Sequence, residues 1–127
     1  MDRIDLHVEV PALDYRELVE APTGEGTSAV RARVGAARDR QRRRLAGSAA
    51  FCNAQMGARE TRRHCVPDEG GARLLEGAMR ALGLSARGYA KVLKVARTIA
   101  DLGGNDGIGA AHVAEAVQYR LLDRREV

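Results

Sequence analysis

Ser85-Ala-Arg-Gly-Tyr-Ala-Lys-Val-Leu-Lys-Val-Ala-Arg-Thr-Ile-Ala-Asp-Leu102 decides how the rest of the chain reads. Tyr89, Leu93, Ala96 and Ala100 follow a 4-3-4 spacing, with Val92, Val95 and Ile99 beside them. That period puts one broad apolar face on an α-helix. Arg87, Lys91, Lys94 and Thr98 repeat at 4-3-4 on the opposite face. Ser85 holds the N-cap position, its hydroxyl able to accept from a backbone N–H one turn on. Gly103 and Gly104 follow where such a helix stops. An arginine at the mouth of this helix is well placed to reach a phosphate.

The flanking segments read as helices too. Pro67 opens one, with Asp68 and Glu69 in its first turn, where the helix dipole favours acids. Leu74, Leu75, Ala78, Met79 and Leu82 form its apolar face, and Gly83 ends it. After a turn at Asn105–Gly109, a last helix runs from Ala110 to Leu122 with Val113, Ala116, Val117 and Leu121 inward. Upstream, Thr27 or Ser28 is the expected cap of a helix reaching about Arg44, whose apolar stripe of Val30, Val34, Ala37 and Leu45 is narrow. Leu13–Val19 is a short helix or turn, Ala21–Thr27 an exposed loop, Ala46–Gly57 irregular, and Ala58–Cys65 a short helix. Residues 4–10, Ile-Asp-Leu-His-Val-Glu-Val, alternate without a break, which predicts a half-buried strand ended by Pro11. A lone strand needs a neighbour for its backbone groups, and no later segment reads as one. The expected fold is mainly α: a small bundle of about four main helices, with one N-terminal strand that looks cut from a larger sheet.

Composition agrees. A length of 127 residues suggests one domain. There is no Trp, one Phe and three Tyr, while alanine is abundant, which favours closely packed helices. Cys52 and Cys65 are too few for a disulfide scaffold and suggest a reducing compartment. No apolar run approaches the roughly 20 residues that span a bilayer, and Met-Asp-Arg-Ile-Asp has no signal-peptide pattern. The expectation is a soluble, cytoplasmic protein without membrane partners. The net charge of +4 is unevenly spread: residues 1–27 carry −5, residues 28–44 carry +6, and residues 45–127 carry +3. The basic character is concentrated in one segment, which suggests an anionic partner there.

The chemistry is bounded first by what is missing. There is no Gly-x-x-x-x-Gly-Lys-Ser/Thr loop and no apolar strand ending in Asp-Glu to hold magnesium. This stretch alone is therefore no nucleotide hydrolase. Cys52, Cys65, His7, His64 and His112 lack the paired spacing of a zinc site, so no metal is expected, and nothing asks for a Cys–His nucleophile. The arginine run has two readings. Arg38, Arg42, Arg43 and Arg44 could contact nucleic-acid phosphates, each contact releasing counterions. Equally, positive charge suits a helix C-terminus in water. Arg87 is either a solvated side chain or an anion contact, and Arg3, just before the strand, is weak by itself.

Taken together these stretches resemble the magnesium-chelatase-like branch of the AAA+ ATPases, in its ComM/YifB-like part. Asp2-Arg-Ile-Asp-Leu-His-Val-Glu-Val-Pro11 looks like the family's segment after the sensor strand, and Asn53-Ala-Gln-Met56 like a piece of its C-terminal region. Gly83-Leu-Ser-Ala-Arg-Gly-Tyr89 with Leu93–Leu102 is similar to its sensor-2 helix, and His112-Val-Ala-Glu-Ala-Val-Gln-Tyr-Arg120 to its last helix. The resemblance implies a C-terminal helical lid over residues 28–127, preceded in 1–27 by a remnant of the ATPase core and a linker. It implies that Arg87 is the sensor-2 arginine, reaching the γ-phosphate of ATP, and that Arg3 is an arginine finger for a neighbouring subunit. Met1 replaces or truncates the leucine expected before that finger. ATP and magnesium would be cofactors of the full-length parent, with none in the isolated domain. The partners implied are the N-terminal ATPase core, sister subunits in a ring expected to be a homo-hexamer, and DNA, since the ComM-like resemblance implies a motor working on DNA branches. The alternative is a stand-alone helical nucleic-acid-binding module using residues 31–44.

Overall fold

A computed structural model describes residues 6–10, 12, 15–20 and 24–120 of the chain. The element order is α1 (Tyr15–Glu20), α2 (Thr27–Arg44), a 3-10 turn (Asn53–Gln55), α3 (Ala58–His64), α4 (Glu69–Leu82), α5 (Ala86–Leu102) and α6 (Ala110–Gln118). The fold is mainly α, a small helical bundle, as the periodicity predicts. None of the described helices is long and apolar enough to cross a membrane.

α5 is the central element. It packs against α6, α2, α3 and the 3-10 turn, while α4 reaches the bundle through α6. The reason is its apolar sector: Val92, Leu93, Ala96 and Ala100 are buried, with Tyr89, Val95 and Ile99 half-buried against the same core. Each buried Val or Leu contributes about 1.5–3 kcal/mol, and the alanines let neighbouring helices approach closely. Val113 and Ala116 of α6, Leu75 of α4 and Ile108 complete the centre.

The caps decide the helix ends. Ser85 Oγ accepts from the Gly88 N–H at 3.0 Å, fixing the start of α5 as expected. Asp68 does the same for α4, accepting from Gly71 N–H at 2.8 Å. Gly83 closes α4 at φ 62°, ψ 42°, a left-handed conformation in which a side chain is costly. Two expectations need correction. Pro67 does not open α4: it lies before the cap in a parallel bridge to Ile108, where Asp68 N–H donates to the Ile108 carbonyl at 2.8 Å. Nor does Thr27 or Ser28 cap α2. Gly26 holds that position without a side-chain bond, and Thr27 is already helical.

α2 joins the bundle only by its second half. Ala37 and Gln41 are its buried residues, Leu45 is buried just beyond, and Val30 and Val34 are exposed. The strand expected over residues 4–10 falls partly outside the described residues. Residues 6–10 form no ladder, and their described backbone tie is His7 N–H to the Tyr119 carbonyl at 2.9 Å. The portion of the last helix expected at Leu121 and Leu122 also lies outside the described residues; α6 ends at Gln118.

Candidate functional site: a cation-lined groove along α5

The outward face of α5 forms one wall of a groove of about 640 Å³. Arg87, Lys91 and Lys94 line it, followed along the helix by Val95, Ile99 and Leu102. Leu6 and Val8 of the N-terminal segment, with Glu115 and Tyr119 from α6, face them. The 4-3 spacing of the three cations explains the arrangement, since a helix brings residues four and three apart to one stripe. The groove is thus cationic toward the start of α5 and apolar toward its end.

Arg87 is the second residue of α5, one position after Ala86, and is exposed. It makes no ion pair among the described residues. The first turn of a helix also carries the positive pole of the peptide dipoles. A guanidinium there adds five donors in a planar fork that matches phosphate oxygens. Gly88 follows, and a Cβ on it would come within 3.5 Å of Nη2 of Arg120, a buried arginine from the end of the α6 region.

The basic segment divides. Arg38, Arg42 and Arg43 are exposed on α2, with Arg42 loosely paired to Asp39 at 3.5 Å. Arg44 is not part of that surface. Its side chain is only 16% exposed and grips Asp101 with both nitrogens, Nη2 to Oδ1 at 2.5 Å and Nη1 to Oδ2 at 3.0 Å. The bidentate geometry is the strong form of this pair. Two others carry anionic partners of their own: Arg33, still exposed, pairs with Glu25, and Arg40, half-buried, bonds Asp106 and the Gly104 carbonyl. Arg3 lies outside the described residues.

Asp101 anchors a buried polar cluster that sequence reasoning missed. Arg97 Nε stands 3.4 Å from Asp101 Oδ1, and its two terminal nitrogens donate to the carbonyls of Asn105 and Asp106 at 2.9 Å. Asn53 donates to Asp101 Oδ2 at 2.9 Å and to Thr98 Oγ1 at 3.0 Å, while its backbone N–H reaches the buried Gln41 at 3.0 Å. Burial pulls the Arg97 guanidinium below its ordinary value, and Asp101 opposes that. The nearby Cys65 thiol is pushed up to about 11, because burial outweighs the pull of Arg97 and Arg44. The available signal was an Arg–Asp pair four residues apart, set beside Ala96 and Ala100 rather than on the open face. Among the described residues no three His, Cys, Asp or Glu side chains gather as a metal site.

The fold is a small helical bundle with a cation-lined groove along its central helix, and sequence comparison gives the family. The chain belongs to the family described as magnesium chelatase, subunit ChlI C-terminal, whose model matches residues 24–120. It is similar to the uncharacterized protein YifB of Salmonella typhimurium, 42% identical over 125 residues, covering 98% of this chain and 24% of that protein. It is also similar to the competence protein ComM of Haemophilus influenzae, 41% identical over 98% of this chain and 24% of that protein. These likenesses agree with the ComM/YifB-like branch. The chain spans about a quarter of the length of these curated relatives.

Proposed function

We propose that this chain is the helical lid of a magnesium-chelatase-like AAA+ ATPase, and that Arg87 serves it as the sensor-2 arginine. ATP, with its magnesium, is held by the core domain of the same protein, in a ring of subunits expected to be a hexamer. Phosphoryl transfer is catalysed mainly by positioning and by charge placed against the transferring group. Arg87 supplies that charge in cis, from a helix start whose own dipole favours an anion. The observation that carries the reading is the standing of Arg87: exposed, unpaired among the described residues, on the rim of a groove, and fixed by the Ser85 cap two residues earlier. In the full-length protein, Arg87→Ala is expected to cut ATP turnover by about a hundredfold or more, the scale of a lost transition-state donor, with the fold intact. Near-normal turnover contradicts the reading.

A second reading rests on Arg38, Arg42 and Arg43, which stand exposed on one helix. They supply phosphate contacts for DNA, so that the parent protein is a DNA-remodelling motor. If so, binding of duplex DNA by the full-length protein falls steeply with salt, and neutralising the three arginines flattens the slope by about 3 in log–log form. An unchanged slope leaves them as a solvated helix end.

A further inference from the structure

Lys94 is, with Lys91, one of two cations of the groove that the lid reading leaves without a task. It is half-buried, lines the same groove as Arg87, and makes no ion pair among the described residues. The backbone of the turn that carries Lys94 is tied to the buried polar cluster. Thr98 Oγ1 donates to the Lys94 carbonyl at 2.8 Å and accepts from Asn53 Nδ2 at 3.0 Å. Asn53 is in turn held by Asp101. The Thr98 hydroxyl is thereby committed to the helix, which leaves the ammonium as the polar group offered to the groove from this turn.

Seven residues separate Arg87 from Lys94, a rise of about 10 Å along the helix. Along the α5 wall the cations come first and Ile99 and Leu102 beyond, while Leu6, Val8, Tyr119 and the carboxylate of Glu115 line the facing side, leaving three cations against one acid. A ligand matching that order along α5 is anionic and extended at one end and apolar at the other. A volume of about 640 Å³ falls within the range of pockets for ligands of nucleotide size. We infer that Lys94 is a second phosphate-binding residue of this groove, holding the polyphosphate chain of the nucleotide whose end Arg87 reaches. The inference rests on the lid reading and adds a role that Arg87 does not cover: Lys94 contributes to affinity, while Arg87 acts on the transferring phosphate. As a compact point charge on a flexible stem, lysine suits the first task.

The test uses the full-length protein. Equilibrium affinity for ATP and for inorganic triphosphate, together with KM and kcat, are measured for Lys94→Ala and Lys94→Arg. The loss of one charge-assisted contact predicts that Lys94→Ala weakens both ligands, and raises KM, by about tenfold, with kcat nearly unchanged. Lys94→Arg, which keeps the charge, restores most of the affinity. Equal loss for both ligands places the contact on the phosphates; loss for ATP alone overturns the assignment, as does unchanged affinity or a fall in kcat without a rise in KM. Thermal melting of each variant checks the fold, and Lys94→Gln replaces Lys94→Ala if that variant is unstable. Arg87→Ala is run alongside. If it abolishes turnover while Lys94→Ala is silent, only the role of Lys94 falls; if it leaves turnover normal, the lid reading itself falls.

Discussion

Asp101 shows how one side chain holds several elements. Its carboxylate has no exposed surface and faces the guanidiniums of Arg44 and Arg97. Two cations against one anion are tolerable because Arg97 also meets two carbonyls past the end of α5. Removing the anion leaves both guanidiniums buried and uncompensated, so Asp101→Asn should cost about 3–5 kcal/mol, read as a shift in the urea midpoint. Asp106→Asn is the contrast: its partner Arg40 is paired with a fully exposed carboxylate, and the midpoint should stay where it is. Cys65 gives a prediction in pH. Its folded thiol titrates near 11, above the ordinary 9.0. The folded state therefore binds the proton more tightly, and the stability this group contributes is complete below pH 9 and lost as pH rises toward 11. At pH 8 a thiol reagent should modify Cys52 and spare Cys65 until the protein is unfolded, counted by mass. Arg97 and Asp101 were not legible in the sequence, because periodicity sorts residues as apolar or polar and has no place for a polar pair that is buried. Arg87, Lys91 and Lys94 were legible as a stripe, since helical spacing alone places them together.

At the scale of the element, local chemistry decided what could be read. α4 and α5 were legible at the ends where a side chain or a left-handed glycine makes the stop: Ser85, Gly83 and the Gly103–Gly104 pair. The sequence predicts Asp68 as a first-turn acid, and in the fold it is the cap itself. That difference arises from a long-range contact, the bridge of Pro67 to Ile108, which holds Pro67 extended and leaves the cap position to the next residue. No local rule carries such a contact. At the start of α2, Thr27 has the chemistry of a cap but lies within the helix, and Gly26 takes the cap position. Asp68→Ala should lower stability by about 1 kcal/mol, and Ser85→Ala by a similar amount, whereas Thr27→Ala should be nearly silent. Melting curves of the three variants side by side check the order.

For the whole molecule, the bundle is organised so that one helix does two things. The inner sector of α5 makes the core, and its outer stripe makes one wall of the groove. The polar cluster of Asn53, Thr98 and Asp101 joins the two, holding α5 against α2 and the 3-10 turn. A domain built this way carries its row of cations along one wall of the groove. Periodicity showed the helices and the row; the groove depends on where α6 and residues 6–8 come to lie, which only the fold supplies. In the lid reading the row opens on an arginine that acts on the ATP bound by the core domain of the same protein. The most direct test of that role is single-turnover hydrolysis of ATP by the full-length protein carrying Arg87→Ala, with Arg87→Lys and an unfolding curve as controls. The rate should fall by about a hundredfold or more, recover in part with lysine, and leave the unfolding midpoint unchanged. Hydrolysis at the unmodified rate in a folded Arg87→Ala protein would contradict the lid reading.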